Sequence, residues 1–501
     1  MVKTIFLQKK NSNFVRNKCY INKEKLNEFY ISFLLSFCLF YALFNMIAEI
    51  SYLGAIRKAV VDLQKPLTLF CGPNSTGKTY LSYLLYAILE NTDYVESKEL
   101  DKIVKYFSEH KEITLNREIV EWFVQDVAAN IKVNLGSIFG IGDVAVSKLF
   151  SQFELSIVLT DGDYERIIER PCHLVSKNGE NEIGIIKEPS SDKITYQING
   201  ENSNIERDSL MGLRLMINHF FRLMCFRNFG SVRMLTVERN SIYTFKTELS
   251  LGRNELIDRI QQKSGRSELD ILDIVNSSSR RYPLAVRSSL RIANDLDNVQ
   301  KFTSPYYKIA ELIEKGILQG EVKITKTGDV EFISDKVGKT KHLPIHLTSS
   351  IVKTMSSLVI YLKHIARKGD LLIIDEPEMN FHPNVQISLM RIFAILTKLD
   401  LRIIISTHSD YMIRELNNLI MAGSIYPKDA RLVEDLGYEK SMLLDKNDIA
   451  VKYFNYGKLK RLLDVVDVKV EDDGFAIESI DATINDQNRV TETLFDHIQE
   501  E

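Results

Sequence analysis

Gly72-Pro73-Asn74-Ser75-Thr76-Gly77-Lys78-Thr79 lies between an apolar run, Leu67-Thr68-Leu69-Phe70-Cys71, and a helical run from Tyr80 to Leu89. The spacing G-x-x-x-x-G-K-T in a strand–loop–helix context reads as a phosphate loop. Its glycines let backbone N–H groups turn inward around phosphate oxygens, and Lys78 places a point charge on the β- and γ-phosphates. Thr79 supplies a hydroxyl for Mg²⁺ at a helix N-terminus whose dipole already favours anions. All eight residues, Gly72, Pro73, Asn74, Ser75, Thr76, Gly77, Lys78 and Thr79, are the expected contacts to ATP. A glycine turn between a buried strand and a helix is the bland alternative. A second segment decides against it: Leu371-Leu372-Ile373-Ile374-Asp375-Glu376, four apolar residues ending in two carboxylates.

Phosphoryl transfer to water needs those acids to differ, Asp375 holding the metal shell and Glu376 orienting and deprotonating the attacking water. Successive strand residues point to opposite sides. The strand must therefore end at this point and turn if both carboxylates are to face the phosphates. A third apolar run, Ile403-Ile404-Ile405-Ser406-Thr407, delivers His408 just past its carboxyl end, the edge at which open α/β sheets bind ligands. His408 is the expected contact to the γ-phosphate.

On these residues the chain resembles the ABC-type ATPases, in the soluble branch that includes chromosome-maintenance, recombination and OLD-like proteins. The likeness is carried by Gly72 to Thr79, by Asp375-Glu376-Pro377-Glu378 with Phe381-His382-Pro383, and by Ser406-Thr407-His408-Ser409. The D-E-P-E-x-x-x-H-P form looks more like OLD-type defence and repair ATPases than like transporter subunits. The resemblance implies an α/β P-loop NTPase fold, an ABC-type ATPase head with ATP and Mg²⁺ as cofactors. It also implies a signature element before the acidic strand. Leu347-Thr348-Ser349-Ser350 takes that place and departs from the transporter form, having no Ser-Gly-Gly-Gln. The helix after it is read from Ile351, Met355, Leu358, Val359, Leu362 and Ile365, which recur at helical spacing. Either serine could cap it. In the family this helix end points at the γ-phosphate held by a partner subunit, so Ser349 and Ser350 are expected nucleotide contacts in a homodimer or higher homo-oligomer, with Lys353 a weaker candidate. Met234 to Ser241 resembles the strand and loop at the Q-loop position. Glu238-Arg239 stands there without a clear glutamine, and an exposed charged turn is the reading adopted.

The stretch from Tyr80 to Ile374 exceeds what a phosphate-loop helix and its return strands need, so material is inserted. The expected organisation is an extension at 1–45, an amino-terminal head lobe at 46–92, a mixed α+β insertion at 93–227 and a return to the head at 228–247. A short helical arm follows at 248–320, then a carboxyl-terminal head lobe at 321–430 and an α/β tail at 431–501. Within the insertion, helices are expected at Leu100 to His110 and Asn116 to Val133. A small sheet is expected from the alternation of Leu155 to Leu159 and from turn signals at Asp161-Gly162-Asp163, Lys177-Asn178-Gly179 and Asn199-Gly200. A strand pair is expected around Thr327-Gly328-Asp329. The long coiled-coil arm of chromosome-maintenance relatives is not expected, because apolar a and d positions are not sustained within 246–320. Arg253, Arg259, Lys263, Arg266, Arg280, Arg281, Arg287 and Arg291 make that region the most plausible face for nucleic acid, although interleaved acids fit a solvated helical face equally well.

The 501 residues and 45% apolar content leave room for a large core. With 64 basic and 67 acidic residues the net charge is −3, which gives no global case for nucleic acid. Five cysteines without C-x-x-C spacing argue against zinc and fit reduced thiols in a cytoplasmic protein. Phe29 to Ala48 carries no charge and reaches the about 20 residues that a membrane span needs. The basic stretch before it would then leave the ATPase outside, where there is no ATP. An inverted or re-entrant anchor, or an extension that is not part of the working protein, survives that conflict. A start at Met46 without membrane association is the preferred expectation. The tail after His408 looks too short for the metal-dependent cleavage domain of OLD-like nucleases, and Glu471-Asp472-Asp473-Gly474 reads as a hairpin turn. The resemblance to ATPases of the Septu, PARIS and retron-associated antiphage systems implies a separate effector, a nuclease or toxin, as partner. Two other classes compete with an ATPase that regulates such an effector: an energy-coupling subunit of a membrane transporter, and a nucleotide-gated scaffold with little turnover.

Overall fold

The computed structural model describes residues 46–63, 65–90, 98–178, 181–199, 207–226, 230–246, 282–336, 342–456 and 462–499. The extension at 1–45, and with it most of the Phe29 to Ala48 run, falls outside these residues, as do Arg253, Arg259, Lys263, Arg266, Arg280 and Arg281 of the expected arm. No described helix is long and apolar enough to cross a membrane.

The fold is mixed α/β and divides into two compact units, one of residues 96–123 and 164–225, the other of 44–95, 124–163 and 226–501. The larger unit is built on a nine-stranded sheet. Its order is Glu154–Val158, Ile47–Leu53, Ile56–Asp62, Leu463–Val468, Ile449–Tyr456, Leu67–Cys71, Arg402–Thr407, Leu371–Asp375 and Val232–Leu235. The last five run parallel. Leu67–Cys71 and Leu371–Asp375 are buried at every residue, as continuous apolar strands covered by helices on both faces must be. The three apolar runs of the sequence thus lie side by side, with Arg402–Thr407 between the phosphate-loop strand and the acidic strand.

Helices Lys78–Glu90, Ser350–Ile360, Pro383–Lys398 and Asp410–Ile425 pack around this sheet. Pro383 opens its helix at the first turn, where a missing N–H costs nothing. The Ser409 hydroxyl caps the next helix by accepting from Met412 N–H at 3.1 Å. On the helix read from the signature element, Met355, Leu358, Val359 and Leu362 are buried as the periodicity requires. Gly423 lets its helix pack closely on the segment that precedes the strand Ile449–Tyr456, where a Cβ would stand 2.2 Å from the Leu444 carbonyl oxygen. Gly423→Ala must displace backbone and is expected to lower stability by about 1–3 kcal/mol. A thermal midpoint unchanged from wild type in calorimetry would show that the segment yields without cost.

Two expectations about strand placement need correction. Glu154–Val158 pairs with Ile47–Leu53 at the edge of the large sheet and takes no part in a small inserted one. The carboxyl-terminal segment, expected as an α/β tail at 431–501, contributes Ile449–Tyr456 and Leu463–Val468 to the same sheet, and its last described element is the helix Glu478–Gln499. Glu471 and Gly474 do close a hairpin-like bridge.

The smaller unit holds a four-stranded antiparallel sheet in the order Glu112–Thr114, Lys193–Asn199, Asn181–Lys187 and Cys172–Asn178. Asp161-Gly162-Asp163, read as a turn, starts a helix at Asp161. The Asp163 carboxylate accepts from Thr160 N–H at 2.7 Å and from the Thr160 hydroxyl at 2.8 Å, a capping arrangement that turn composition imitates.

Candidate functional site

Four parallel strands end at one edge of the large sheet, and each releases a segment singled out in the sequence. Leu67–Cys71 leads into Gly72 to Thr79, Leu371–Asp375 into Glu376 to Glu378, Arg402–Thr407 into His408, and Val232–Leu235 into Glu238 and Arg239. The register sets Asp375 opposite Ser406 and Ser406 opposite Phe70, so the ends are level.

The phosphate loop adopts the conformations its composition allows, with Gly72 at φ 140° and Gly77 at φ 92°. A side chain at Gly72 would also meet the Phe454 carbonyl oxygen at 2.7 Å. The Lys78 ammonium donates to the carbonyls of Gly72 at 3.0 Å and Pro73 at 2.8 Å. Burial lowers its pKa to about 8, against the pull of Glu376 and Asp375. Tyr456 braces the loop from the neighbouring strand, its hydroxyl donating to the Ser75 carbonyl at 3.2 Å.

Asp375 is buried, and its two carboxylate oxygens are divided between neighbours: Thr79 donates to one at 2.8 Å and Ser406 donates to the other. Burial raises its pKa while these two hydroxyl donors oppose the rise. Glu376 takes a left-handed backbone conformation, φ 45°. For a non-glycine residue this costs about 1–3 kcal/mol and persists only where surroundings impose it. That turn lets the second acid leave the strand on the phosphate side. Its Oε1 lies 3.6 Å from Nε2 of His408, longer than a hydrogen bond, with the two side chains 35% and 28% exposed. The imidazole, helped by Lys78 and Arg239, holds the Glu376 carboxyl below the usual carboxylate range.

Glu378 is partly buried and ties the acidic turn to the histidine turn: its Oε1 accepts from the Thr407 hydroxyl at 2.7 Å and from His408 N–H at 2.8 Å. Burial pushes its pKa up. The structure thus brings Lys78, Thr79, Asp375, Glu376 and His408 to one place. Ser349 and Ser350 are exposed at the start of their helix, Ser349 in the N-cap position without a side-chain cap hydrogen bond. Neither has a hydrogen bond to the phosphate loop among those formed by the described residues.

The reading of Glu238-Arg239 as an exposed turn holds for Glu238 alone. Arg239 is 3% exposed, and its guanidinium donates to the carbonyls of Thr236 at 3.0 Å, Asp375 at 2.6 Å and Glu376 at 2.6 Å. Ser406 and Glu378 are further residues of the site to which no role was attached. Their signal in the sequence was their place in the D-E-P-E and S-T-H-S segments, at the carboxyl ends of two apolar runs.

The oxygens of Thr79 and Asp375 form a hard donor pair of the kind Mg²⁺ takes, and the loop N–H groups with Lys78 form an anion cradle. Residues 234–413, which include the acidic motif, the signature serines and His408, match the AAA ATPase domain family. No curated protein matches the chain. Among solved structures, an SMC head bound to the C-winged helix domain of ScpA is 11% identical, covering 85% of this chain and 97% of that one at a TM-score of 0.36. The Smc head with an extended coiled coil, bound to the C-terminal domain of ScpA and derived from Pyrococcus furiosus, gives 12%, 89%, 100% and 0.35. The SMC head of Thermotoga maritima gives 9%, 86%, 100% and 0.32.

Proposed function

We propose that the chain binds and hydrolyses ATP as an ABC-type ATPase, closing as a dimer over nucleotide and using the closed–open cycle to regulate a separate effector in a defence or repair setting. The observation that carries this reading is the convergence of Thr79, Asp375, Glu376 and His408 beside Lys78 at one sheet edge. In it, Lys78 and the loop N–H groups bind the phosphates. Thr79 and Asp375 hold Mg²⁺, which when bound neutralises charge on the β- and γ-phosphate oxygens. Glu376, kept ionised by its neighbours, takes the proton of the attacking water, and His408 contacts the γ-phosphate from the adjacent strand. Dimerisation is supported by the exposed, uncapped start of the helix Ser350–Ile360, whose free N–H groups form an anion-binding end. Leu347, one turn earlier, is 66% exposed. Effector regulation rests on the family resemblance of the D-E-P-E and S-T-H segments.

Purified full-length chain with Mg²⁺ should release phosphate from ATP, and light scattering should show its mass doubling with ATP and returning to the monomer value with ADP. Tight ATP binding without phosphate release would favour the nucleotide-gated scaffold. Turnover with an invariant monomer mass would remove the dimer cycle.

A further inference from the structure

Arg239 carries a buried charge that contacts neither phosphate nor water in the hydrolytic scheme. Asp375, Glu378, Glu376 and Glu238 act on it through space, while its hydrogen bonds go to three backbone carbonyls. Two of these belong to Asp375 and Glu376, the residues between which the chain leaves its strand for the left-handed turn. On the other side of that turn the Glu376 N–H donates to the Ser406 carbonyl at 3.1 Å and to the Ser406 hydroxyl at 3.2 Å. The turn is therefore clamped from both sides, which is the condition for a disfavoured backbone conformation to persist. Lysine could not replace this fork, because two nitrogens of one rigid plane reach two successive carbonyls.

Arg239 is also tied to the helices around it. Its own carbonyl accepts from the Ser357 hydroxyl at 3.4 Å, on the helix that begins at the signature serines. The adjacent Glu238 carboxylate accepts from the Tyr83 hydroxyl at 3.4 Å, on the phosphate-loop helix.

We infer that Arg239 is a positioning residue, whose guanidinium fixes the turn that aims the Glu376 carboxylate, from a backbone segment held by Ser357 and, through the adjacent Glu238, by Tyr83. The inference rests on the ATPase reading for its consequence, though the clamp itself is independent of turnover. Wild type, R239K, R239Q and E376Q, all full length, are compared by kcat and KM, affinity for a fluorescent ATP analogue, thermal midpoint and amide hydrogen exchange of the peptide spanning 371–382.

R239K is expected to remain folded, to bind the analogue within about threefold of wild type, and to lose about 10²-fold in kcat, the scale of an ångström-sized misplacement. Amides of the 376–381 turn should exchange about tenfold faster, with those of the 402–407 strand unchanged. R239Q, which keeps a planar donor with one nitrogen, should follow in the same direction and decides the matter if R239K does not fold. Turnover within about threefold of wild type with unchanged exchange overturns the proposal, as does a parallel loss of binding and kcat. Wild type that binds the analogue without turnover would instead overturn the ATPase reading, and the exchange data alone would then decide whether Arg239 holds the turn.

Discussion

Glu376→Gln is expected to lower kcat by about 10²–10⁴-fold, the usual worth of a positioned general base, while leaving ATP affinity within about threefold of wild type. Glutamine keeps the length and planarity of the side chain and does not disturb the contacts that impose the turn, since these involve the backbone of residue 376: its N–H to Ser406 and its carbonyl to Arg239. What it removes is a carboxylate held below its usual pKa by His408, Lys78 and Arg239, and so available at neutral pH to accept a proton. Because binding should survive, the variant should accumulate in its ATP-bound form, visible as a mass doubled relative to the ADP state. Steady-state phosphate release measures the first effect and light scattering the second. A variant retaining more than about a tenth of wild-type kcat would remove Glu376 from the base role.

Lys78→Met should act on binding first. The ammonium donates to loop carbonyls 3.0 and 2.8 Å away, within reach of any phosphate cradled by the same N–H groups. Each hydrogen bond to a charged group is worth about 1.5–3 kcal/mol, so ATP affinity should fall by about one to two decades. The pH dependence has a definite sign. Burial lowers the Lys78 pKa to about 8, so the free protein carries the charge below that pH and loses it above. Affinity for ATP should be greatest below about pH 8 and decline as pH rises through it, by up to about tenfold per unit where binding takes up the proton. The methionine variant should lack this decline. Titration calorimetry of both proteins from pH 6.5 to 9.5 checks the prediction, and parallel curves would assign the decline to another group.

Phosphate loop, acidic strand end and histidine were legible because each is contiguous, and contiguity lets a few residue types specify a local conformation. Glycines at 72 and 77 supply dihedrals that other residues resist, and unbroken apolar runs before Asp375 and His408 announce strands buried on both faces. The signature helix was legible for the same reason: Met355, Leu358, Val359 and Leu362 recur on one face and are buried. Strand alternation, however, records which faces are buried and says nothing of which strand lies alongside. Glu154–Val158 therefore passed for part of a small sheet, and Ile449–Tyr456, against the phosphate-loop strand, looked like a tail. Neighbours are chosen by long-range pairing, which the sequence leaves unspecified locally.

Arg239 makes the point for single residues. In sequence, Glu-Arg after a short strand has the composition of a solvated turn, since an isolated buried guanidinium is expensive. Only folding brings the carbonyls of Asp375 and Glu376, far along the chain, to within 2.6 Å of it. The sequence by itself determined which groups stand at the strand ends, a glycine-rich loop with Lys78, two acids and a histidine, because those groups are written in local order. Tertiary structure alone decided how Glu376 is aimed and which charge is buried to hold it, because that depends on hydrogen bonds between backbone segments that meet only when the parallel strands align.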